Sequence, residues 1–350
     1  MEVNVRELLR PHLRAFKSYS SARLEYTGAD AVFLDANENS LGSASEGGLN
    51  RYPDPIQFQV KEKISKVKSI AAEQVFVGNG SDEAIDLLYR AFCEPGVDNV
   101  IVCPPTYGMY ETSAQLNNIQ VREVSLTDDF QLQVDQVLAT IDANTKMIFI
   151  CNPNNPTGNL LDQSDITRLV ENFKGIVIVD EAYIDFSPAE SWISNLSKYS
   201  NVVVLQTLSK AWGMAGIRLG MAFGSKELVQ ILTAIKPPYN VSSLTQQAAL
   251  TALGNKHLKE KMVQLILKQR DRLEEALPTF SYVQKIYPTA TNFILVKVDD
   301  PNRLYQFLIK NNVIVRNRDT THLCKGCVRI TVGSEEENDE LLKWMQEFDR

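Results

Sequence analysis

The chain has 350 residues, 44% of them hydrophobic and 23% charged, ordinary values for a globular protein with enough length for two domains. Its 36 basic residues against 43 acidic ones leave a formal charge of −7. That argues against a nucleic-acid binder, which needs a basic face to displace counterions, but not against a local arginine cluster for a small anion. Cys324 and Cys327 form a C-x-x-C with no second pair and no histidine pair to complete a zinc site, and the count of five cysteines is odd. Residues 1–16 carry charges throughout, and no stretch approaches the roughly 20 apolar residues of a membrane span. The expectation is a cytoplasmic protein with no metal and no membrane contact.

In chain order, residues 5–16 read as a polar helix and 32–34 as a short strand, followed by a loop-rich stretch containing Arg51-Tyr52-Pro53-Asp54. A helix is expected over 58–69. From residue 75 apolar strands and helices alternate: strands at 75–77, 99–102, 121–124, 147–150, 176–179, 202–205 and 221–223, with helices after 80, at 134–141 and at 165–172. These strands are continuous apolar runs, the pattern of an α/β fold whose mainly parallel, mixed sheet is covered by helices on both faces. A long helical region over 243–277 ends at Pro278. Strands at 292–298, 313–316 and 328–332, a helix at 303–311 and a terminal helix at 335–348 then predict a smaller α+β domain. The expected division is 36–270 for the large domain and 1–35 with 271–350 for the small one.

Ligands of such sheets sit at the carboxyl ends of the strands, and there the polar residues recur. Gly80-Ser81-Asp82 opens a helix, where backbone N–H groups and the dipole suit an anion; on this motif alone, Ser81 as a plain N-cap is the favoured reading. Tyr107 ends the next strand, as core packing or as a plate for a flat ring. Asn155 lies in a turn-rich Asn-Asn-Pro-Thr-Gly loop. Asp180 ends a run of four apolar residues, where a carboxylate is costly unless paired, and Tyr183 follows three residues on. Thr207, Ser209, Lys210 and Arg218 lie at or beyond the end of the 202–205 strand. Alone, Lys210 is either an ordinary loop lysine or an amine for a Schiff base. Together these residues offer an aldehyde-binding lysine, a partner for a ring nitrogen, a stacking ring and a phosphate cradle. That is the set pyridoxal 5′-phosphate requires.

On these residues, with Leu34-Asp-Ala-Asn-Glu-Asn39, Arg51-Tyr-Pro-Asp54, Cys103-Pro-Pro-Thr-Tyr-Gly-Met-Tyr110, Asp180-Glu-Ala-Tyr183, Thr207-Leu-Ser-Lys-Ala211 and Val328-Arg-Ile-Thr-Val-Gly333, the chain resembles the class II branch of the fold-type I aminotransferases. Within that branch it resembles the histidinol-phosphate aminotransferases. The resemblance implies that Lys210 binds the cofactor and moves the proton and that Asp180 pairs with the ring nitrogen. Tyr183 and Asn155 would bond the ring oxygen, and Tyr107 would stack on the ring. Ser81, Asp82, Thr207, Ser209 and Arg218 would surround the phosphate. Tyr52 would reach into a neighbouring subunit, making a homodimer part of the expectation. Arg329, with Arg316 and Tyr19, would hold the substrate's anionic group, Asn155 beside them, and glutamate or 2-oxoglutarate would use Arg329 in the other half-reaction. Arg318 lies two residues beyond Arg316, on the same side of an extended strand, and competes for its role. The Asn-Glu-Asn motif is followed here by Ser40 where the family often has proline. Rival substrates on the same scaffold are aromatic amino acids and threonine phosphate.

Overall fold

The computed structural model describes residues 3–18 and 31–349. Among the described residues, β1 (Val75–Asn79), β2 (Asn99–Val102), β3 (Gln120–Glu123), β4 (Thr145–Cys151), β5 (Ile176–Asp180), β6 (Val202–Thr207) and β7 (Leu219–Phe223) form one sheet in the order β1-β7-β6-β5-β4-β2-β3. Strands β3, β2, β4, β5 and β6 are parallel, and β7 runs antiparallel to both of its neighbours. The continuous apolar runs have a direct cause. Val177 and Val179 of β5 join one core layer with Ile148 and Ile150 of β4, while Ile176 and Ile178 join the opposite layer with Met147 and Phe149. Strand side chains alternate faces, so a sheet covered on both sides must be apolar at every position.

A second sheet, antiparallel throughout, comprises β8 (Val283–Ile286), β9 (Phe293–Val298), β10 (Arg316–Asn317) and β11 (Cys327–Thr331) in the order β10-β11-β9-β8. It has its own core, in which Ile294, Val296 and Ile330 meet Leu304 and Leu308 of the helix Pro301–Lys310 and Met345 of the helix Glu335–Asp349. No helix among the described residues is long and apolar enough to cross a membrane.

Three expectations need correction. Residues 5–16 form two short 3-10 turns, Val5–Leu8 and Pro11–Leu13, because Pro11 cannot donate to a continuous helix. Val5 and Leu9 are buried with Tyr89, Ala91 and Phe92, and the Arg10 N–H donates to the Ala91 carbonyl at 3.0 Å. The described part of 1–35 thus packs on the large sheet's helices, not on the small sheet. Residues 32–34 are not a strand: Val32 and Leu34 are 87% and 81% exposed. The long helical region divides at Asn255 into Ser243–Gly254 and Lys256–Ala276. Two helices went unanticipated, Met109–Leu116 and Lys226–Ile235.

Candidate active site

Asp180 closes β5 and is 2% exposed. The strand's alternation turns it to the face shared by Ile176 and Ile178. There its Oδ2 accepts the Tyr110 hydroxyl at 2.7 Å and its Oδ1 accepts the Ala182 N–H at 3.1 Å. Burial pushes its pKa up to about 6; those two hydrogen bonds pull it back, Asp82 adds to the rise and Lys210 opposes it.

Lys210 follows β6. Its amine makes no hydrogen bond or ion pair among the described residues and stands 5.6 Å from the centroid of the Tyr183 ring. Burial, then repulsion from Arg329, lowers its pKa, with Asp180 opposing. Tyr183 is 7% exposed and braced edge-on against Phe293 at 5.2 Å.

The opposite wall is built from backbone. The helix Gly80–Phe92 starts directly after β1, so the N–H groups of Ser81 and Asp82 lie in its first turn, with no carbonyl one turn back to accept them. The N-cap is Asn79, so the reading of Ser81 as N-cap does not hold. Gly80 has φ +69°, and a Cβ there would sit 3.0 Å from Arg218 Nη2. Gly220 of β7 passes so close that its Cβ would lie 2.1 Å from Gly80 C and Ser81 N. Only glycine permits this approach. The Thr207 and Ser209 hydroxyls are 3.0 Å apart, and Arg218 Nη2 is 3.7 Å from Asp82 Oδ2. The Tyr107 hydroxyl donates to Asp82 Oδ1 at 3.2 Å. Arg218 is thus steered by a carboxylate that is itself held by Tyr107.

Ser81, Asp82, Tyr107, Asn155, Asp180, Tyr183, Thr207, Ser209, Lys210 and Arg218 line a single cleft, together with Cys151, Ala182 and Ala215. At its edge Arg329 Nη1 donates to Asn155 Oδ1, and its guanidinium lies 5.0 Å from the Phe293 centroid. Arg316 is the register partner of Arg329 across β10 and β11. Arg318 extends the group: burial, then Arg329 and Arg316, pull its pKa down to about 10. None of these three arginines has a carboxylate partner among the described residues, and Nε of both Arg318 and Arg329 is buried without an acceptor. Arg316 and Arg318 are both neighbours of Arg329 in one cationic group.

Two expected residues are not part of this cleft as described. Tyr52 is 51% exposed, outside the cleft, and stacks on Tyr239 at 4.4 Å. Tyr19 falls outside the described residues. One residue was missed. Tyr110 was visible only as part of a motif; Tyr107 precedes the helix Met109–Leu116 that carries Tyr110, so no helical spacing in the sequence linked the two rings.

The family described as aminotransferase class I and II matches residues 25–344. A histidinol-phosphate aminotransferase of Cytophaga hutchinsonii is 51% identical over 348 residues, covering 99% of this chain and 100% of that one. The chain belongs to the class I and II aminotransferases. Among solved structures, the histidinol-phosphate aminotransferase of Clostridium acetobutylicum superposes with a TM-score of 0.79 at 24% identity, over 86% of this chain and 91% of that one. The enzyme of the same description from Sinorhizobium meliloti, in complex with pyridoxal 5′-phosphate, gives 0.79 at 21% identity, over 89% and 90%. At these identities the structural likeness establishes the fold, and the activity, that of an aminotransferase, rests on the family match.

Proposed function

We propose that this aminotransferase moves the amino group of L-histidinol phosphate to 2-oxoglutarate, giving imidazole-acetol phosphate and glutamate in histidine biosynthesis, with pyridoxal 5′-phosphate as cofactor. One observation carries the reading: Lys210, whose amine has no hydrogen-bond or ion-pair partner among the described residues, shares a cleft with the buried carboxylate of Asp180. The donor set fits the cofactor. A buried carboxylate suits a protonated ring nitrogen, and the Gly80 cradle, the helix N-terminus, Ser209 and Arg218 suit a phosphate. Tyr107, Tyr183 and Asn155 line the same cleft, and in this reading Tyr107 stacks on the ring while Tyr183 and Asn155 bond its oxygen.

When bound, the cofactor supplies an electron sink for the charge left on the substrate's amine-bearing carbon. Lys210 Nζ takes the proton from that carbon, and its depressed basicity suits it to give the proton back. Asp180 stays ionised opposite the ring nitrogen. In the second half-reaction 2-oxoglutarate receives the amino group, and Lys210 returns a proton to its carbon. Arg329, Arg316 and Arg318 hold the substrate's phosphate. Three cations with no carboxylate partner among the described residues exceed what a single carboxylate needs and favour a dianion over an aromatic amino acid. Tyr19 is assigned to the same phosphate.

The chain acts as a homodimer in this reading. Tyr52 reaches the partner's cleft, and Leu34, Leu41, Leu49 and Phe58, exposed on the same stretch of sequence, are covered by a second copy. Sedimentation equilibrium should give twice the chain mass. The deciding experiment compares turnover on histidinol phosphate, phenylalanine and O-phosphothreonine with 2-oxoglutarate as acceptor. Histidinol phosphate should lead by at least about tenfold in kcat/KM, and Lys210→Ala should abolish turnover. A preference for phenylalanine, or decarboxylation of O-phosphothreonine as the main reaction, would overturn the substrate assignment.

A further inference from the structure

Behind Asp180 stands a block of aromatic rings of which only Tyr107 enters the reading above. Tyr110 lies in the first turn of the helix Met109–Leu116 and is 0% exposed. Its ring stacks on Phe149 of β4, with centroids 4.8 Å apart and planes at 21°, and meets the Tyr107 ring edge-on at 5.6 Å. Tyr89 stacks on Phe149 at 5.4 Å, and its hydroxyl donates to the Tyr110 carbonyl at 2.8 Å. Three rings and a backbone hydrogen bond therefore fix where the Tyr110 hydroxyl stands, and it stands 2.7 Å from Asp180 Oδ2.

A core tyrosine needs an acceptor for its hydroxyl, and almost any carbonyl would serve. This one is given to the carboxylate that faces the cleft. A carboxylate has about four lone-pair directions. Tyr110 takes one on Oδ2, and the Ala182 N–H takes one on Oδ1 at 3.1 Å. With both oxygens tethered, the carboxylate plane cannot rotate about χ2, and its remaining lone pairs are aimed rather than averaged. The other ionisable groups that act on Asp180 are Asp82 from the helix Gly80–Phe92 and Lys210 beyond β6; Cys151, the register neighbour of Asp180 on β4, and Tyr183 feel its charge. Asp82 and Lys210 act through space, whereas Tyr110 bonds Asp180 directly.

We propose that Tyr110 is the positioning residue of Asp180: its clamped hydroxyl sets the carboxylate's orientation toward the cofactor's ring nitrogen and holds it in the ionised form. This rests on the cofactor assignment above. Tyr107, just before the helix, and Tyr110, in its first turn, then divide the site, Tyr107 steering Asp82 and Arg218 at the phosphate end and Tyr110 steering Asp180 at the ring end.

The test is Tyr110→Phe in the full-length protein, which keeps the ring stack and removes only the hydroxyl. Equilibrium binding is measured for pyridoxal 5′-phosphate and for its carbocyclic analogue with CH in place of the ring nitrogen. The variant should bind pyridoxal 5′-phosphate about tenfold more weakly while binding the analogue as wild type does. In an Asp180→Asn background, adding Tyr110→Phe should change neither affinity, because the group it acts through is gone. Equal weakening toward both compounds, or an unchanged preference for the ring nitrogen, overturns the proposal. Should Tyr110→Phe fold poorly, 3-fluorotyrosine at position 110 preserves the shape with a stronger donor; unchanged affinity there also counts against the role. If wild type itself fails to distinguish the two compounds, the pairing of Asp180 with the ring nitrogen falls, and Tyr110's role with it.

Discussion

Replacing Asp180 with asparagine should stabilise the cofactor-free protein, and the gain should depend on pH. The isostere keeps the side chain's shape and an oxygen for the Ala182 N–H while deleting the charge. In the folded chain the Asp180 carboxyl is pushed from 3.8 up to about 6, first by burial. A shift of about two units corresponds to roughly 3 kcal/mol at about 1.4 kcal/mol per unit. The folded protein binds this proton more tightly than the unfolded chain does. The carboxyl therefore costs nothing when protonated in both states, and the cost grows as pH rises from about 4 toward and past 6. The asparagine, which carries no charge at any pH, avoids that cost. Linkage puts the variant's advantage at about 1 kcal/mol near pH 4.5 and about 3 kcal/mol near pH 8. Glu181, also buried and pushed up to about 7, has the same sign of pH dependence, but both chains carry it and it cancels in the comparison. Denaturant midpoints of the two cofactor-free proteins across this range, with unchanged m-values, measure the gap. A gap that stays flat with pH, or a wild type more stable than the variant at pH 8, would refute the assignment of a strained ionised carboxylate. With pyridoxal 5′-phosphate added, the order should reverse, because the wild-type charge then has its partner and the variant's amide does not.

Gly220→Ala should lose about 3 kcal/mol or more of stability and most phosphate retention, since its Cβ would fall 2.1 Å from the Gly80–Ser81 backbone; Gly216→Ala, with nothing within 4 Å, is the neutral control. Comparable cofactor affinity in the two variants would contradict the close approach of β7 to the helix start. Arg318→Gln should raise the melting temperature without substrate, by relieving repulsion from Arg329 and Arg316, and raise KM for histidinol phosphate more than KM for glutamate. Equal effects on the two KM values would remove Arg318 from the phosphate site.

The parts of this molecule that could be read from its sequence are those fixed by local pattern. The run Ile-Val-Ile-Val before Asp180 can only be a strand covered on both faces, and a carboxylate closing it stands out because burial without a partner is costly. Val32 and Leu34 carry an equally apolar signal, yet among the described residues no strand pairs with them, and both side chains stay exposed. The arginines mark the same boundary. Periodicity placed Arg316 and Arg318 on one side of a strand, but only Arg316–Asn317 pairs in the sheet, and the Arg318 N–H bonds the Cys327 carbonyl beyond it. Their shared cationic group comes from the pairing of β10 with β11, which no local window contains. Tyr110 shows the limit most sharply. It meets Asp180 across a separation of seventy residues only because β4, which carries Phe149, lies between β2 and β5 in the sheet. The hydroxyl's target was decided by strand order, and strand order is a property of the assembled sheet. Residues that touch the reacting atoms are thus announced by their chemistry, whereas those that orient them are known only from what packs behind.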